Sequence, residues 1–329
     1  MNKNCIGCGS ILQYTNNQEQ GYIKKEKIDE SSYCERCFKI IHYNEKIVTT
    51  LNNINDYIIK TVNQKAKYVF FLIDFLNINS ETINMFKKIS IPKTLIISKL
   101  DIIPKSIKDN KIINLLKEEY QINEEIIFQS TKKNINTKKI ISFLEKNNIN
   151  EAYITGYTNA GKSTLINKLV KVNNLEKEIL TTSLIPNTTI DFVKRKITNN
   201  INIIDSPGFT LNETIYKDDE FDFIKRVNPK VFLKPTTYQV KEISVINIED
   251  KLEISTSINN SFTFYMSNDI NISRTFQKNK TPNLTLEISD NTDLVIKGLG
   301  FINIKKSCTL NIYIENKNLI EIRKSIFNN

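Results

Sequence analysis

Between residues 45 and 226, short apolar runs alternate with stretches whose apolar positions recur at helical spacing. The runs fall at 68–74, 94–98, 125–129, 152–155 and 202–205, and the helical patterns include 112–120, 138–146 and 163–170. Strands alternating with helices predict a mostly parallel, doubly wound α/β sheet. From about Val227 onward the period changes to two, as in Leu284-Thr285-Leu286-Glu287-Ile288 and Leu310-Asn311-Ile312-Tyr313-Ile314. That alternation predicts half-buried antiparallel strands, with Gly298 and Gly300 marking a turn or bulge. Residues 1–44 have little continuous apolar sequence and hold four of the five cysteines. The expected organisation is therefore 1–44, 45–226 and 227–329, with no internal repeat.

Composition changes this picture only slightly. A chain of 329 residues is long enough for two or three domains. Its formal charge of +10 fits a polyanionic partner. Yet only five of the 46 basic residues are arginine, and a Lys-, Asn- and Ile-rich chain without Trp reflects base composition more than evolved phosphate contacts. The first residues lack the apolar core of a secretory signal, and the stretch 68–76 is interrupted by Asp74 and too short to span a bilayer. A soluble, cytoplasmic protein with no membrane partner is expected. In a reducing setting, paired cysteines suggest metal rather than disulfides.

Cys5-x2-Cys8 and Cys34-x2-Cys37 are two knuckles separated by a 25-residue excursion. Each pair lets two thiolates converge on one ion, and together they complete a closed tetrahedral zinc site, structural rather than hydrolytic. Metal would replace the core that so short a segment cannot build. Cys308, in a strand-like stretch, reads as a small buried side chain.

Gly156-Tyr157-Thr158-Asn159-Ala160-Gly161-Lys162-Ser163 fits G-x4-G-K-[ST], a loop whose backbone N–H groups cradle phosphates. Lys162 would bridge the terminal phosphates and Ser163 would ligate magnesium, with Gly156, Asn159, Ala160, Gly161 and Thr164 completing the nucleotide contacts. Asp205-Ser206-Pro207-Gly208 follows an apolar run, so Asp205 would hold magnesium through water and the Gly208 N–H would meet the terminal phosphate. Between them, Thr188 and Thr189 in Pro186-Asn187-Thr188-Thr189 can offer a hydroxyl and a carbonyl, Thr189 being preferred for magnesium. Ser98-Lys99-Leu100-Asp101 has the form of a guanine-reading tetrapeptide. Asp101 would accept from N1–H and the exocyclic amine, which adenine cannot satisfy, and Lys99 would lay its stem over the base. Ser130 and Thr131, one strand later, would contact the base oxygen. Ser98 stands where Asn or Thr is usual, and losing the amide is expected to loosen the loop's bracing and weaken guanine binding by about 1–2 kcal/mol.

The tetrapeptide precedes the phosphate loop, the reverse of the order in ordinary GTPases. The chain therefore reads as circularly permuted. With Ile103-Pro104-Lys105-Ser106, the segment 266–275 and Gly298-Leu299-Gly300, these motifs resemble the YqeH family of circularly permuted GTPases. The resemblance implies a four-cysteine zinc domain, a permuted P-loop GTPase domain and a C-terminal β-rich domain linked to RNA. It also implies GTP hydrolysis with GTP/GDP, Mg2+ and Zn2+, and partners in the small ribosomal subunit or its precursor and ribosomal RNA. Oligomeric state stays open. The departures are Ser98, Asn187 for the usual Gly, and the lysine-heavy surface.

Phe209 stands where many GTPases place a glutamine that orients the attacking water, so slow intrinsic hydrolysis is expected. Asn159 resembles the loop Asn of potassium-dependent GTPases, whose cation would act where an arginine finger does. Arg274, Lys278 and Lys280, near Phe262, Phe264, Tyr265 and Phe276, are the candidate RNA contacts, the alternative being aromatics in the core and solvated lysines. The rival reading is a zinc- and RNA-binding scaffold using nucleotide only as a conformational ligand.

Overall fold

The computed structural model describes residues 3, 5, 11–17, 21–35, 54–172, 192–211, 213–216, 221–240, 244–256, 258–277 and 280–327. Two compact units emerge. One comprises Met1–Asp74, Met85–Lys99 and Glu124–Thr210; the other comprises Phe75–Asn84, Leu100–Asn123 and Leu211–Asn329.

The first unit is organised by a six-stranded sheet. Its strands are β1 (Val69–Asp74), β2 (Lys93–Ser98), β3 (Ile126–Phe128), β4 (Glu151–Gly156), β5 (Val193–Lys196) and β6 (Asn202–Asp205), in spatial order β3-β2-β1-β4-β6-β5. Every pairing is parallel except β5–β6. All six β1 residues, Val-Phe-Phe-Leu-Ile-Asp, are buried, as an interior parallel strand covered on both faces requires. Helices α1 (Ile54–Lys65), α4 (Thr137–Lys146) and α5 (Lys162–Val172) each bury an apolar stripe. In α5 this stripe is Leu165, Ile166, Leu169 and Val170, packed with Phe70, Ile154 and Ile203 from the sheet. A short helix, α2 (Ser80–Lys87), lies between β1 and β2.

The strand order bears out the permutation. From the central β4, later strands β6 and β5 extend to one side, while the earlier β1, β2 and β3 extend to the other. Beginning at β4 would restore an uninterrupted doubly wound order; the chain instead begins at what would be the middle.

The second unit is β-rich. One antiparallel sheet runs β16 (Ile320–Lys324), β13 (Thr292–Ile296), β14 (Gly300–Ile304), β10 (Asn260–Met266) and β7 (Thr236–Val240). The other runs β11 (Ile272–Thr275), β8 (Val245–Ile248), β9 (Leu252–Ser255), β15 (Cys308–Ile314) and β12 (Leu284–Ile288). Both contribute to one core, including Ile246, Ile254, Leu310 and Ile312 from one and Phe262, Phe264, Leu294 and Ile302 from the other. Gly298 and Gly300 form the expected β13–β14 turn, with φ of 84° and 135°. A Cβ at Gly300 would lie 2.2 Å from the Tyr265 carbonyl oxygen, a distance no side chain tolerates.

Two segments that follow nucleotide-region strands also belong to this second unit, with α3 (Asp109–Glu118) in one of them. Glu321 accepts from the Ser80 N–H at 2.9 Å, the Ser80 hydroxyl at 2.8 Å and the Tyr120 hydroxyl at 3.1 Å. Arg323, itself buried, donates to the Ile78 carbonyl and lies 3.4 Å from Asp293 Oδ2. Burial raises the Asp293 carboxyl above its ordinary range, opposed by the Arg323 charge. Lys297 pairs with Glu81 at 3.3 Å. Among the described residues, no helix is long and apolar enough to cross a membrane.

Candidate functional site

The candidate residues of the first unit converge where parallel strands end, the place at which open α/β sheets present their binding loops. β4 ends at Gly156, whose φ of 143° brings the backbone against β1: a Cβ there would lie 2.2 Å from the Leu72 carbonyl oxygen. The loop then turns through Asn159 at φ 63° and Gly161 at φ 94° into α5. Lys162 is buried and its ammonium donates to the Gly156 and Tyr157 carbonyls at 2.9 and 3.0 Å. Desolvation lowers its pKa to about 8, against the opposing pull of Asp205. Both amide atoms of Asn159 are buried without a hydrogen-bond partner among the described residues.

Asp205 ends β6 and is fully buried, and neither carboxylate oxygen meets a donor among the described residues. Burial raises its pKa to about 6, while the charges of Lys162 and Arg195 act the other way. A buried carboxylate with unsatisfied oxygens beside a serine hydroxyl suits a hard divalent cation, so these residues fit magnesium. Arg195 escaped the sequence reading; it sits on β5, two residues from Val193, which pairs with Asp205. Gly208 is required by close approach, since a Cβ would meet Thr158 Cγ2 at 2.7 Å and Lys162 Nζ at 3.0 Å. Phe209 turns away from this space. Its N–H donates to Gly156 O at 3.0 Å, its carbonyl accepts from Thr158 N at 2.9 Å, and its ring stacks on Phe71 at 5.5 Å and 22°.

The tetrapeptide begins at the end of β2. The Ser98 hydroxyl donates to the Ala160 carbonyl at 2.6 Å, with the Ile73 carbonyl at 3.4 Å. A hydroxyl reaches this carbonyl because β2 and the phosphate loop lie close enough for a short side chain. Lys99 adopts φ 58°, and its ammonium lies 3.6 Å from the buried Asp74 Oδ2, a partner the sequence did not single out. Asp101 occupies the short turn Leu100–Ile102, assigned to the second unit. At the end of β3, Ser130 is buried and accepts from Lys133 N at 3.1 Å, while Gln129 donates to the Thr131 hydroxyl at 2.9 Å. Ser163 and Thr164 open α5; Thr188 and Thr189 lie outside the described residues.

Of the four N-terminal cysteines, Cys5 and Cys34 are described and buried together, and the Cys34 N–H donates to Cys5 Sγ at 3.1 Å. Cys8 and Cys37 lie outside the described residues. Among the described residues, no group of three or more metal-ligating side chains assembles. Cys308 is buried, as expected, and burial raises its thiol pKa.

The expected RNA-contact cluster divides. Phe262, Phe264 and Tyr265 are buried, which selects the alternative of core aromatics for them: Phe262 and Phe264 lie in the core of the β-rich unit and Tyr265 stacks on Phe301. Phe276 is 66% exposed, with the Arg274 guanidinium 5.9 Å from its ring centroid. Arg274 also donates to Gln239 O at 3.1 Å, and the Lys280 ammonium lies 4.6 Å from the Tyr313 ring centroid. Lys278 lies outside the described residues.

Residues 151–260 match the family described as "50S ribosome-binding GTPase". Along the chain there is 27% identity over 338 residues to a Bacillus subtilis (strain 168) protein described as "Uncharacterized protein YqeH", covering 91% of this chain and 92% of that one. Similar solved structures include YjeQ from Thermotoga maritima, at 19% identity and a TM-score of 0.32, covering 46% of this chain and 51% of that one. GNP-bound YlqF from T. maritima shares 16% identity at a TM-score of 0.34, covering 52% and 71%. The chain thus carries a GTPase domain, and its resemblance to YqeH extends over most of its length.

Proposed function

We propose that this chain, which resembles YqeH along nearly its whole length, binds and hydrolyses GTP as an assembly factor acting on the small ribosomal subunit. The observation that carries the reading is the 2.6 Å bond from Ser98 to Ala160. It ties a guanine-type tetrapeptide from early in the chain to a phosphate loop from late in it. In this reading Lys162 and the loop N–H groups of Gly156–Ser163 hold the phosphates, and Thr164 adds a contact. Ser163, Asp205 and one of Thr188 and Thr189 would hold magnesium, which when bound supplies positive charge to the terminal phosphates. The Gly208 N–H reads the third phosphate, Asp101 selects guanine, Lys99 covers the base, and Ser130 and Thr131 face the base oxygen. The buried, unpartnered amide of Asn159 supports a monovalent-cation role and potassium stimulation.

The rest of the proposal follows the expected division 1–44, 45–226 and 227–329. Cys5, Cys8, Cys34 and Cys37 hold a structural zinc, supported by the N–H donated to Cys5 Sγ at 3.1 Å, a bond suited to a thiolate. Arg274, Lys278, Lys280 and exposed Phe276 contact ribosomal RNA from the β-rich part in the cytoplasm. Ordering of 206–220 by the third phosphate acts on that part. Supporting this, Ile215 N donates to Lys297 O at 3.2 Å, and Asn316 donates to Glu213 at 2.6 Å.

A second reading has its own observation. Buried Phe209 offers nothing to orient water, which favours a scaffold using nucleotide only as a conformational ligand. The two readings separate in one experiment: GTP and ATP turnover in potassium and in sodium, with and without small or large subunits, and with Lys162→Ala as control. The proposal expects GTP-specific turnover, several-fold faster in potassium, stimulated by small subunits and lost in the control. Turnover indistinguishable from Lys162→Ala would leave the scaffold standing. Equal rates in both salts would remove the cation role. Stimulation by large subunits alone would move the partner to the one named in the family description.

A further inference from the structure

Thr210 is the last residue of the first compact unit, two positions beyond Gly208. Its backbone is gripped by a side chain 155 residues earlier in the chain. Asn55, in the first turn of α1, donates from Nδ2 to Thr210 O at 2.8 Å and accepts on Oδ1 from Thr210 N at 3.0 Å. One carboxamide thereby makes the pair of bonds that a neighbouring strand would make. Phe209, the residue before, is already bonded on both sides to Gly156 and Thr158. The segment that carries Gly208 past Lys162 is therefore tied at two successive residues, once to the phosphate loop and once to α1.

Topology gives the reason for using a side chain. A chain unbroken after β6 would cross over β4 through a connecting helix and enter β1. Helix α1 does lead into β1, with Ile54, Ile58 and Val62 buried, but the covalent link from Thr210 to its start is missing. Residue 211 instead begins the last segment of the second unit. The permutation has cut the chain between the phosphate-sensing segment and the helix that would follow it, and Asn55 bridges the cut.

We propose that Asn55 is a positioning residue for nucleotide-state recognition: its carboxamide splices α1 to Thr210 across the permutation break and holds Gly208 where its N–H reads the third phosphate. The proposal rests on the GTP-binding reading and deepens it. Without the splice, Gly208 must be ordered at the moment of triphosphate binding, so the third phosphate loses affinity while the diphosphate, which does not touch Gly208, keeps its own.

The test uses the full chain with fluorescent N-methylanthraniloyl GDP and a non-hydrolysable GTP analogue. Asn55→Ala is expected to weaken the triphosphate analogue about ten-fold, the loss of roughly one hydrogen bond, and GDP by less than about two-fold. Asn55→Asp keeps an acceptor for Thr210 N but sets a carboxylate oxygen against Thr210 O in place of the donor; it should weaken the triphosphate analogue at least as much as Asn55→Ala, again sparing GDP, and it carries the test if the alanine variant fails to fold. Equal weakening of both nucleotides would assign Asn55 a merely structural role and overturn the proposal, as would no change in either. A wild-type chain that binds neither nucleotide would instead overturn the GTP reading beneath it.

Discussion

Lys162 and Asp205 are buried beside each other, and burial works against the charge of both. Asp205, raised from 3.8 to about 6, holds its proton more tightly folded than unfolded. Its contribution favours folding in acid and is lost as pH rises through about 6. Lys162, lowered from 10.5 to about 8, favours folding in alkali, a contribution lost as pH falls through about 8. Between these values the nucleotide-free site weighs against stability, as a site built for a highly charged ligand should. Asp205→Asn is therefore expected to stabilise the nucleotide-free protein at pH 7 by on the order of 1 kcal/mol, read as a higher melting midpoint, while abolishing magnesium-dependent nucleotide binding. Thermal melts from pH 5 to 9 would check this, and a midpoint below wild type at pH 7 would contradict it. The identities of these two residues were plain in the sequence because the motifs demand them. The partner of Ser98 was not, because a serine names no acceptor until β2 and the phosphate loop are adjacent.

At the scale of elements, Phe209 shows how a motif position can be taken over by packing. The parallel bridge between Tyr157 and Phe209 carries the chain from β6 alongside the phosphate loop, and the ring fills a space between Phe71 and Tyr157. Phe209→Gln, which restores the residue usual in faster GTPases, is expected not to accelerate hydrolysis. It should instead destabilise the protein by about 3 kcal/mol, because it removes a buried aromatic and buries an amide without partners. Denaturant unfolding and single-turnover hydrolysis would decide, and a faster, equally stable variant would refute the argument. The principal strands were legible because a continuous apolar run bounded by polar residues has few other uses in an α/β chain. Strand β5 was not: Val193-Lys194-Arg195-Lys196 is a sheet edge with charge on both faces, a pattern that guards edges and hides strands from a reader of periodicity.

For the whole molecule, the consequential feature is how the β-rich unit receives the chain after Gly208. Gly298, at φ 84°, lies where a Cβ would meet Tyr216 Cε1 at 2.7 Å and Thr214 Cβ at 3.0 Å. Ile215 is buried in the same core as Leu299 and Phe264. Gly298→Ala is expected to lose at least about 1 kcal/mol through backbone strain and to release 213–216 from the turn. Hydrogen exchange should show faster labelling of 213–216 and 297–300, with unchanged protection of α5. Labelling identical to wild type would show that the contact does not hold the segment. Buried Arg323, reaching Asp293 and Ile78, gives the same unit a second long-range tie.

The sequence by itself determined the chemistry of the candidate site and the order in which its pieces arrive. A phosphate-loop motif, a candidate magnesium carboxylate and a guanine-type tetrapeptide each depend on residue type and local backbone geometry, which neighbours along the chain specify. Tertiary structure alone decided which pieces touch. It placed Ser98 on Ala160 and Asn55 on Thr210, and it buried Phe209, Phe262, Phe264 and Tyr265 while leaving Phe276 exposed. Periodicity states that a side chain faces inward or outward, but not what it meets there. Those encounters join residues 62 and 155 positions apart, and they exist only once sheet order has brought distant strands side by side.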